Sequence, residues 1–228
     1  MMRKVLSSII AMLLLSAVAF AQNTETRKPG SFDEIRVAQA ITVYLKSGAE
    51  EEVKVVAKGI DVEDVLTDVS GGRLKIHLAK GNHKNTDVDV YVTYKSLEGI
   101  TASSASSVFS EGVIKGEELT VSVSSAADVE IEVDVEELDV NVSSSGDLEV
   151  AGKARKLDVS ASSAGGVDAY DLDASVAYVR ASSAGGVKVS VRDEINAEAS
   201  SGGSIKYKGD PGKSQTDSSS GGSVRKSN

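Results

Sequence analysis

From residue 103 onward a Ser-Ser pair returns about every nineteen residues, and this period restricts the possible folds more than any other feature of the chain. The pairs are Ser103-Ser104, Ser124-Ser125, Ser143-Ser144, Ser162-Ser163, Ser182-Ser183, Ser200-Ser201 and Ser219-Ser220, spaced by 21, 19, 19, 20, 18 and 19 residues. Flanking columns keep the same phase. Three residues before each pair stand Ile100, Val121, Val140, Val159, Val179, Ala197 and Thr216. Five residues after its first serine stand Val108, Val129, Leu148, Val167, Val187, Ile205 and Val224. Counted from that serine, offsets −5, −3, −1, +5 and +7 are mostly apolar, and offsets −4, −2, 0, +4 and +6 mostly polar. A period of two means extended strands with one face inward. One such unit cannot bury its own face, whereas stacked units bury a continuous apolar column and pair each strand above and below. The pattern therefore predicts an all-β fold: a parallel β-helix (β-solenoid) of about seven coils, roughly 29 Å long at ~4.8 Å per coil. Composition agrees, because only 4% of the residues are aromatic and tryptophan is absent. The core must then be thin and built from Val, Ile, Leu and Ala, as solenoid cores are.

Within a coil, small residues at +2 and +3 separate two strands. Glycine at +3 suits a place where a Cβ would clash. Segments such as Val133-Asp134-Val135, Gly152-Lys153-Ala154 and Gly209-Asp210-Pro211-Gly212 vary most, and are expected to be corner loops that close each coil. Offset +1 has inward parity, so Ser104, Ser125, Ser144, Ser163, Ser183, Ser201 and Ser220 are expected to form an internal hydroxyl ladder at a corner. The serines at offset 0 point outward. They either form a regular hydroxyl array for ice, sugar or a surface, or serve the corner chemistry of any tight coil. In the last repeat Ser214, Thr216 and Ser218 replace apolar residues. Residues 214–228 are thus expected to form a polar cap on the 99–213 coils, as an exposed solenoid end requires, the alternative being a disordered tail with a residual repeat.

Ahead of the repeats, Met1 to Ala21 has the form of a secretory signal peptide. Arg3 and Lys4 precede an apolar run, and Ala19-Phe20-Ala21 is a small-x-small cleavage site that would leave Gln22 as the new N-terminus. Residues 22–30 are expected to be a linker. Residues 31–98 alternate in short runs, as in Phe32 to Val37, Ile41 to Leu45 and Val88 to Val92. They should form a less regular β-rich part continuous with the solenoid. Ser70-Gly71-Gly72-Arg73 is expected to be a turn, and Asp61 to Leu66 a short helical one. The chain has no cysteine, so no disulfide supports an exported fold.

Removing the leader with its two basic residues deepens the formal charge from −9 to −11. That excludes nucleic acid or anionic lipid as a partner bound through bulk electrostatics. No P-loop or Gly-x-Ser-x-Gly elbow is present. The two histidines, His77 and His83, have no zinc-ligand spacing. Ser223-Val224-Arg225-Lys226 is a bare Ser-x-x-Lys in the expected cap, and the sequon Asn141-Val142-Ser143 lies on a strand. The offset +6 column is more informative. It runs Phe109, Glu130, Glu149, Asp168, Lys188, Lys206 and Arg225, with Asp128 and Asp147 added at +4. Stacked carboxylates repel, and an oxygen-liganding cation would relieve this, so Asp128, Glu130, Asp147, Glu149 and Asp168 are weak calcium candidates. No other cofactor is expected. The acidic-to-basic order also permits head-to-tail association, with Glu130 and Glu149 of one copy facing Lys206 and Arg225 of the next.

The entry run Phe32-Asp33-Glu34-Ile35-Arg36-Val37, the run Ala40-Ile41-Thr42-Val43-Tyr44-Leu45 and the Ser-Ser-Ala-Gly-Gly-Val coils resemble the auto-transporter adhesin family with a head GIN domain, also catalogued as a domain of unknown function. The resemblance covers about residues 31 to 225. It implies a right-handed β-helix on an exported protein of a kind common in Bacteroidetes. No membrane barrel is expected after the solenoid. The function expected is a non-enzymatic cell-envelope or surface module, periplasmic, outer-membrane-associated or extracellular, that offers a β-helix face to a protein or glycan partner. The alternative is a β-helix lyase or hydrolase acting on polysaccharide. That chemistry needs paired carboxylates with a nearby Arg or Lys in a cleft, and only the Glu130-Glu149-Asp168 column is available for it.

Overall fold

In the computed structural model, which describes residues 23–83 and 85–227, the chain is a parallel β-solenoid whose strands join in one continuous sheet. The leader assigned to residues 1–21 lies outside the described residues. Five strands precede the first hairpin turn: β1 (Asn23–Arg27), β2 (Glu34–Val37), β3 (Thr42–Ser47), β4 (Glu52–Lys58) and β5 (Val65–Ser70), with a single 3-10 turn at Val62–Asp64. β6 (Arg73–Leu78), β7 (Asp87–Tyr94) and β8 (Gly99–Ala102) follow. Then come the long strands of the repeats: β9 (Ser107–Val123), β10 (Asp128–Val142), β11 (Asp147–Ala161), β12 (Gly166–Ala181) and β13 (Gly186–Ala199). β14 (Ser204–Lys208), β15 (Lys213–Ser218) and β16 (Ser223–Lys226) complete the chain.

The repeat columns become rungs. Leu119, Leu138 and Leu157 lie in register, as do Val121, Val140 and Val159, and all six are buried. Each of β9 to β13 is one strand that bends. In β10 the buried positions run 129, 131, 133, 135 and then 138, 140, 142. The parity slip at Glu136-Glu137 turns the chain and keeps both runs facing the core. The expected corner loop at Val133-Asp134-Val135 is therefore corrected. These residues are strand, paired with Gly152, Lys153 and Ala154, and those three belong to β11. Gly209 to Gly212 does leave the strand pattern.

The serine ladder is corrected as well. Ser104, Ser125, Ser144, Ser163, Ser183, Ser201 and Ser220 are all exposed. Parity failed here because the corner is not extended. In every corner the residues at +1 and +2 both have positive φ, for example 51° and 57° at Ser144 and Ser145. The amide of the +3 residue then closes onto the carbonyl at offset 0, as from Gly146 to Ser143 at 3.0 Å. Two left-handed residues with that bond form the type I′ pattern. The turn also reverses the ladder locally. The +2 amide donates to the next coil, Ser145 to Ser163 at 3.1 Å, while the +4 amide of Asp147 donates back to Ala127 at 2.9 Å. The corner backbone is thereby paired despite its conformation.

A non-glycine residue in the left-handed region costs about 1–2 kcal/mol. Ala126, exposed with φ 58°, is a clean place to measure it. Ala126→Gly should stabilise by up to ~1 kcal/mol after the entropy glycine adds to the unfolded chain. Ala126→Val should destabilise instead. Urea midpoints for the three proteins check the order.

The buried corner position is +3. It carries Ser106 and Ala127 in the first two coils and glycine afterwards. Ser106, 0% exposed, takes a bond from the Ser103 amide at 3.1 Å and donates to the Val37 carbonyl at 3.4 Å. The later glycines are required by close approach rather than by φ. A Cβ would lie 3.0 Å from the backbone of the coil below at Gly146, 2.9 Å at Gly165, 2.5 Å at Gly185 and 2.3 Å at Gly203. The corner tightens as the inward −1 residue shrinks from Val123 and Val142 to Ala161, Ala181 and Ala199.

The repeat also reaches back beyond the serines. Gln39 and Ala40 have φ 67° and 55°, and the Ala40 amide donates to Ser104 at 2.9 Å, as the +2 amides of the later corners do up to Gly202. β2 and β3 are the two sides of that coil and pair in parallel with β8 and β9. The insertion between Leu45 and Gly99 lays β6 and β7 on the other side of this coil, again in parallel. β5 and β4 then pair antiparallel to β6 and β7, and β1 closes the edge against β4. Within the expected 22–30 linker, Asn23–Arg27 are thus strand. Arg27 anchors β1 by donating to the carbonyls of Val62 and Val65 and to Thr67 Oγ1. Along one side the path β1-β4-β7-β3-β9-β10-β11-β12-β13-β14-β16 is eleven strands deep, or about 48 Å at ~4.8 Å per strand. At the far end β15 is exposed throughout, with Ser214, Thr216 and Ser218 over Ile195, Ala197 and Ala199.

Candidate functional site

Strand register aligns the offset +6 residues in one outward column. Glu130 pairs with Phe109 and Glu149, Glu149 with Asp168, Asp168 with Lys188, Lys188 with Lys206, and Lys206 with Arg225. The column extends further than the serine repeat showed. Phe109 pairs with Tyr44, and Tyr44 with Tyr91. The three rings stack, with centroids 5.0 Å apart for Tyr44–Tyr91 and 5.7 Å for Tyr44–Phe109, and Lys54 lies 5.5 Å from the Tyr91 centroid. One flank thus carries three aromatic rungs, three acidic rungs and three basic rungs in order. Tyr91 is 38% exposed, which makes it the one large exposed hydrophobic among the described residues. Burial between its neighbours, followed by the charge of Asp89, pushes the Tyr44 phenol up. It stays a neutral hydroxyl.

The acidic and basic rungs border a shallow open groove of about 470 Å³. Its floor is low because offset +4 is glycine at Gly166 and Gly186, between Asp147 and Ser204. Lys188 donates to Asp168 at 2.7 Å. That hydrogen bond and the aspartate charge raise the Lys188 pKa, so its ammonium is held charged. Further along, Tyr170 projects from a register slip in β12. Its ring lies 3.9 Å from Lys208 Nζ, and its hydroxyl is 2.7 Å from Ser227.

The structure brings the five calcium candidates onto neighbouring rungs of this flank: Asp128 beside Asp147, and Glu130, Glu149 and Asp168 in line. Rungs keep carboxylates side by side. Among the described residues no three Asp, Glu, His or Cys side chains are placed to hold a metal ion. His77 instead faces Asp68 at 3.3 Å, and His83 Nε2 lies 2.9 Å from the Ala79 carbonyl. Tyr44 was missed because its coil turns at Gln39-Ala40 rather than at a serine pair, and Tyr91 because it lies in the insertion that pairs with that coil. A signal was present: Ala40 to Leu45 repeats the alternation of offsets +2 to +7.

The chain is similar in fold to several solved structures. One described as a "putative adhesin" from Bacteroides fragilis is 19% identical, with a TM-score of 0.81 over 90% of this chain and 97% of that one. A second "putative adhesin", from Parabacteroides merdae, is 19% identical, with a TM-score of 0.74 over 91% and 96%. A "putative lipid binding protein" from Parabacteroides distasonis is 21% identical, with a TM-score of 0.63 over 91% and 97%. At these identities the likeness concerns the fold alone. No curated protein is significantly similar to the chain. The family described as "Putative auto-transporter adhesin, head GIN domain" matches residues 31–211, a span that runs from the Gln39-Ala40 coil past the Gly203 corner, and the chain belongs to that family.

Proposed function

We propose that this protein is an exported, non-catalytic module of the cell envelope that binds a protein or glycan partner through the flank carrying the +6 column. The observation that supports this best is the regularity of the column. Nine rungs from Tyr91 to Arg225 follow the repeat, and they build a long, gently contoured surface. Catalysis needs unlike groups converging on one point, which a repeating column does not provide. Aromatic and charged rungs in sequence suit extended contact with a polymer or a protein edge. Family membership supports a surface role, and export rests on the signal-like residues 1–21.

One observation favours the alternative of a polysaccharide lyase or hydrolase: Asp147, Glu149, Asp168 and Lys188 line the same groove. Against it, a lyase base must be able to lose its proton, and Lys188 is held protonated by Asp168. Purified protein incubated with pectin, alginate or peptidoglycan, with or without calcium, should release no reducing ends and no unsaturated products. Turnover that disappears in Glu149→Gln would place an active site in the groove and end the non-catalytic reading. N-terminal sequencing of the exported protein should begin at Gln22.

A further inference from the structure

The six charged rungs have a symmetry that the acidic and basic blocks alone do not require. In stack order they are Glu130, Glu149, Asp168, Lys188, Lys206 and Arg225, one per coil and in direct register. Reversed, the order exchanges every acid for a base. Two copies placed flank to flank, related by a two-fold axis parallel to the strands and passing between the Asp168 and Lys188 rungs, bring each column onto itself upside down. Glu130 then faces the second copy's Arg225, Glu149 its Lys206, and Asp168 its Lys188, each pair occurring twice. Such an interface is isologous and closes at two copies.

The neighbouring column follows the same operation. At offset +4 the order is Asp128, Asp147, Gly166, Gly186, Ser204 and Ser223. Reversal sets Asp128 against Ser223, Asp147 against Ser204, and Gly166 against Gly186. No like charges meet, and the two glycines keep this column low at its centre. At offset +8 Glu132 meets Ser227, Ala151 meets Lys208, and at the centre Tyr170, which projects from the slip in β12, meets Ser190. The parallel arrangement fails, because it sets Glu on Glu and Lys on Lys. The six rungs sum to zero charge on a chain of formal charge −9, so the +6 column itself adds no net repulsion between copies.

We infer that this flank pairs two copies of the chain in antiparallel register through Glu130, Glu149, Asp168, Lys188, Lys206 and Arg225. This deepens the binding-module reading by naming a second copy as one partner. The aromatic rungs Phe109, Tyr44 and Tyr91 have no counterpart beyond Arg225. They overhang both ends of the pair and stay available to a foreign ligand. Five rung intervals at ~4.8 Å and about five residues of strand width give roughly 400 Å² per copy. That is below the ~1,200–2,000 Å² total of a stable interface. The pair is therefore weak, with a dissociation constant in the range of tens to hundreds of micromolar, and salt dissociates it.

Sedimentation equilibrium of the protein from Gln22, without ligand, tests this. At about 20 mM salt and a few hundred micromolar protein, dimer should form, and it should fall at least tenfold in association constant at 0.5 M salt. Glu149→Lys alone and Lys206→Glu alone should each be monomeric, since each repeats a like-charge clash at two places. Mixed one to one they should dimerise again, because the two altered columns complement each other. These side chains are exposed, so folding is not at risk, and circular dichroism checks it. A wild type that stays monomeric at low salt, or a mixture that stays monomeric, overturns the pairing. Monomeric protein that still binds a foreign ligand overturns only the pairing and leaves the module reading standing.

Discussion

Val140→Asp should abolish cooperative folding, whereas Asp139→Val, one residue away, should leave stability nearly unchanged. Val140 is 1% exposed and stacked between Val121 and Val159. A carboxylate there has no partner, and an unpaired charge or an unmet hydrogen-bonding group in such a place costs several kcal/mol. A mature domain of this size has roughly 5–15 kcal/mol in total. In a solenoid the damage also spreads, because each coil is the template for the next. Asp139 lies on the opposite side of the strand and is exposed. Thermal melts followed at 218 nm distinguish the two. Equal effects would show that the inward and outward sides had been exchanged.

Gly203→Ala should destabilise the C-terminal coils by about 2–3 kcal/mol. Its Cβ would sit 2.3 Å from the Ala181 carbonyl oxygen and 2.5 Å from the carbonyl carbon. Both are backbone atoms locked in the ladder and cannot swing aside. Gly186 is the control. It lies in the same repeat motif, has a φ outside the positive region, and a Cβ there meets nothing within 4 Å. Gly186→Ala should be neutral or slightly stabilising through the unfolded chain. Gly146→Ala, with its nearest atom at 3.0 Å, should fall between the two. Denaturant midpoints in the order Gly186→Ala, Gly146→Ala, Gly203→Ala would measure the tightening of the corner along the stack.

The stacked coils were legible because both the two-residue alternation and the nineteen-residue period are written in side chains. Val140 and Asp139 needed nothing more to be placed on opposite sides. The corner was not legible by the same rule. Alternation counts extended residues, and Ser144-Ser145 is left-handed, so the inward parity assigned to Ser144 carried no information there. The Gln39-Ala40 coil was hidden by distance: 65 residues separate Gln39 from Ser104. Its corner has Gln39 in place of the serine, and shares with the later corners the positive φ and the amide bond of Ala40 to the next coil. The aromatic rungs followed from that omission, since Tyr44 and Tyr91 join the column only once their coils are placed. The charged rungs, in contrast, could be read directly from offset +6. Their two-fold complementarity required the register, because a slip of one coil would set Glu149 against Lys188 rather than Lys206.

Binding to an array of envelope glycans and immobilised surface proteins decides whether the flank from Tyr91 to Arg225 is the working surface. Three proteins should be compared: the wild type, a variant with Tyr91→Ser, Glu130→Ser and Lys206→Ser on this flank, and a variant with Asp139→Ser, Asp158→Ser and Arg180→Ser on the opposite one. The wild type and the opposite-flank variant should retain the same ligands, and the variant of the Tyr91-to-Arg225 flank should lose them by at least tenfold in affinity. Binding that survives in that variant and disappears in the opposite-flank variant would contradict the assignment and move the surface to the other side of the solenoid.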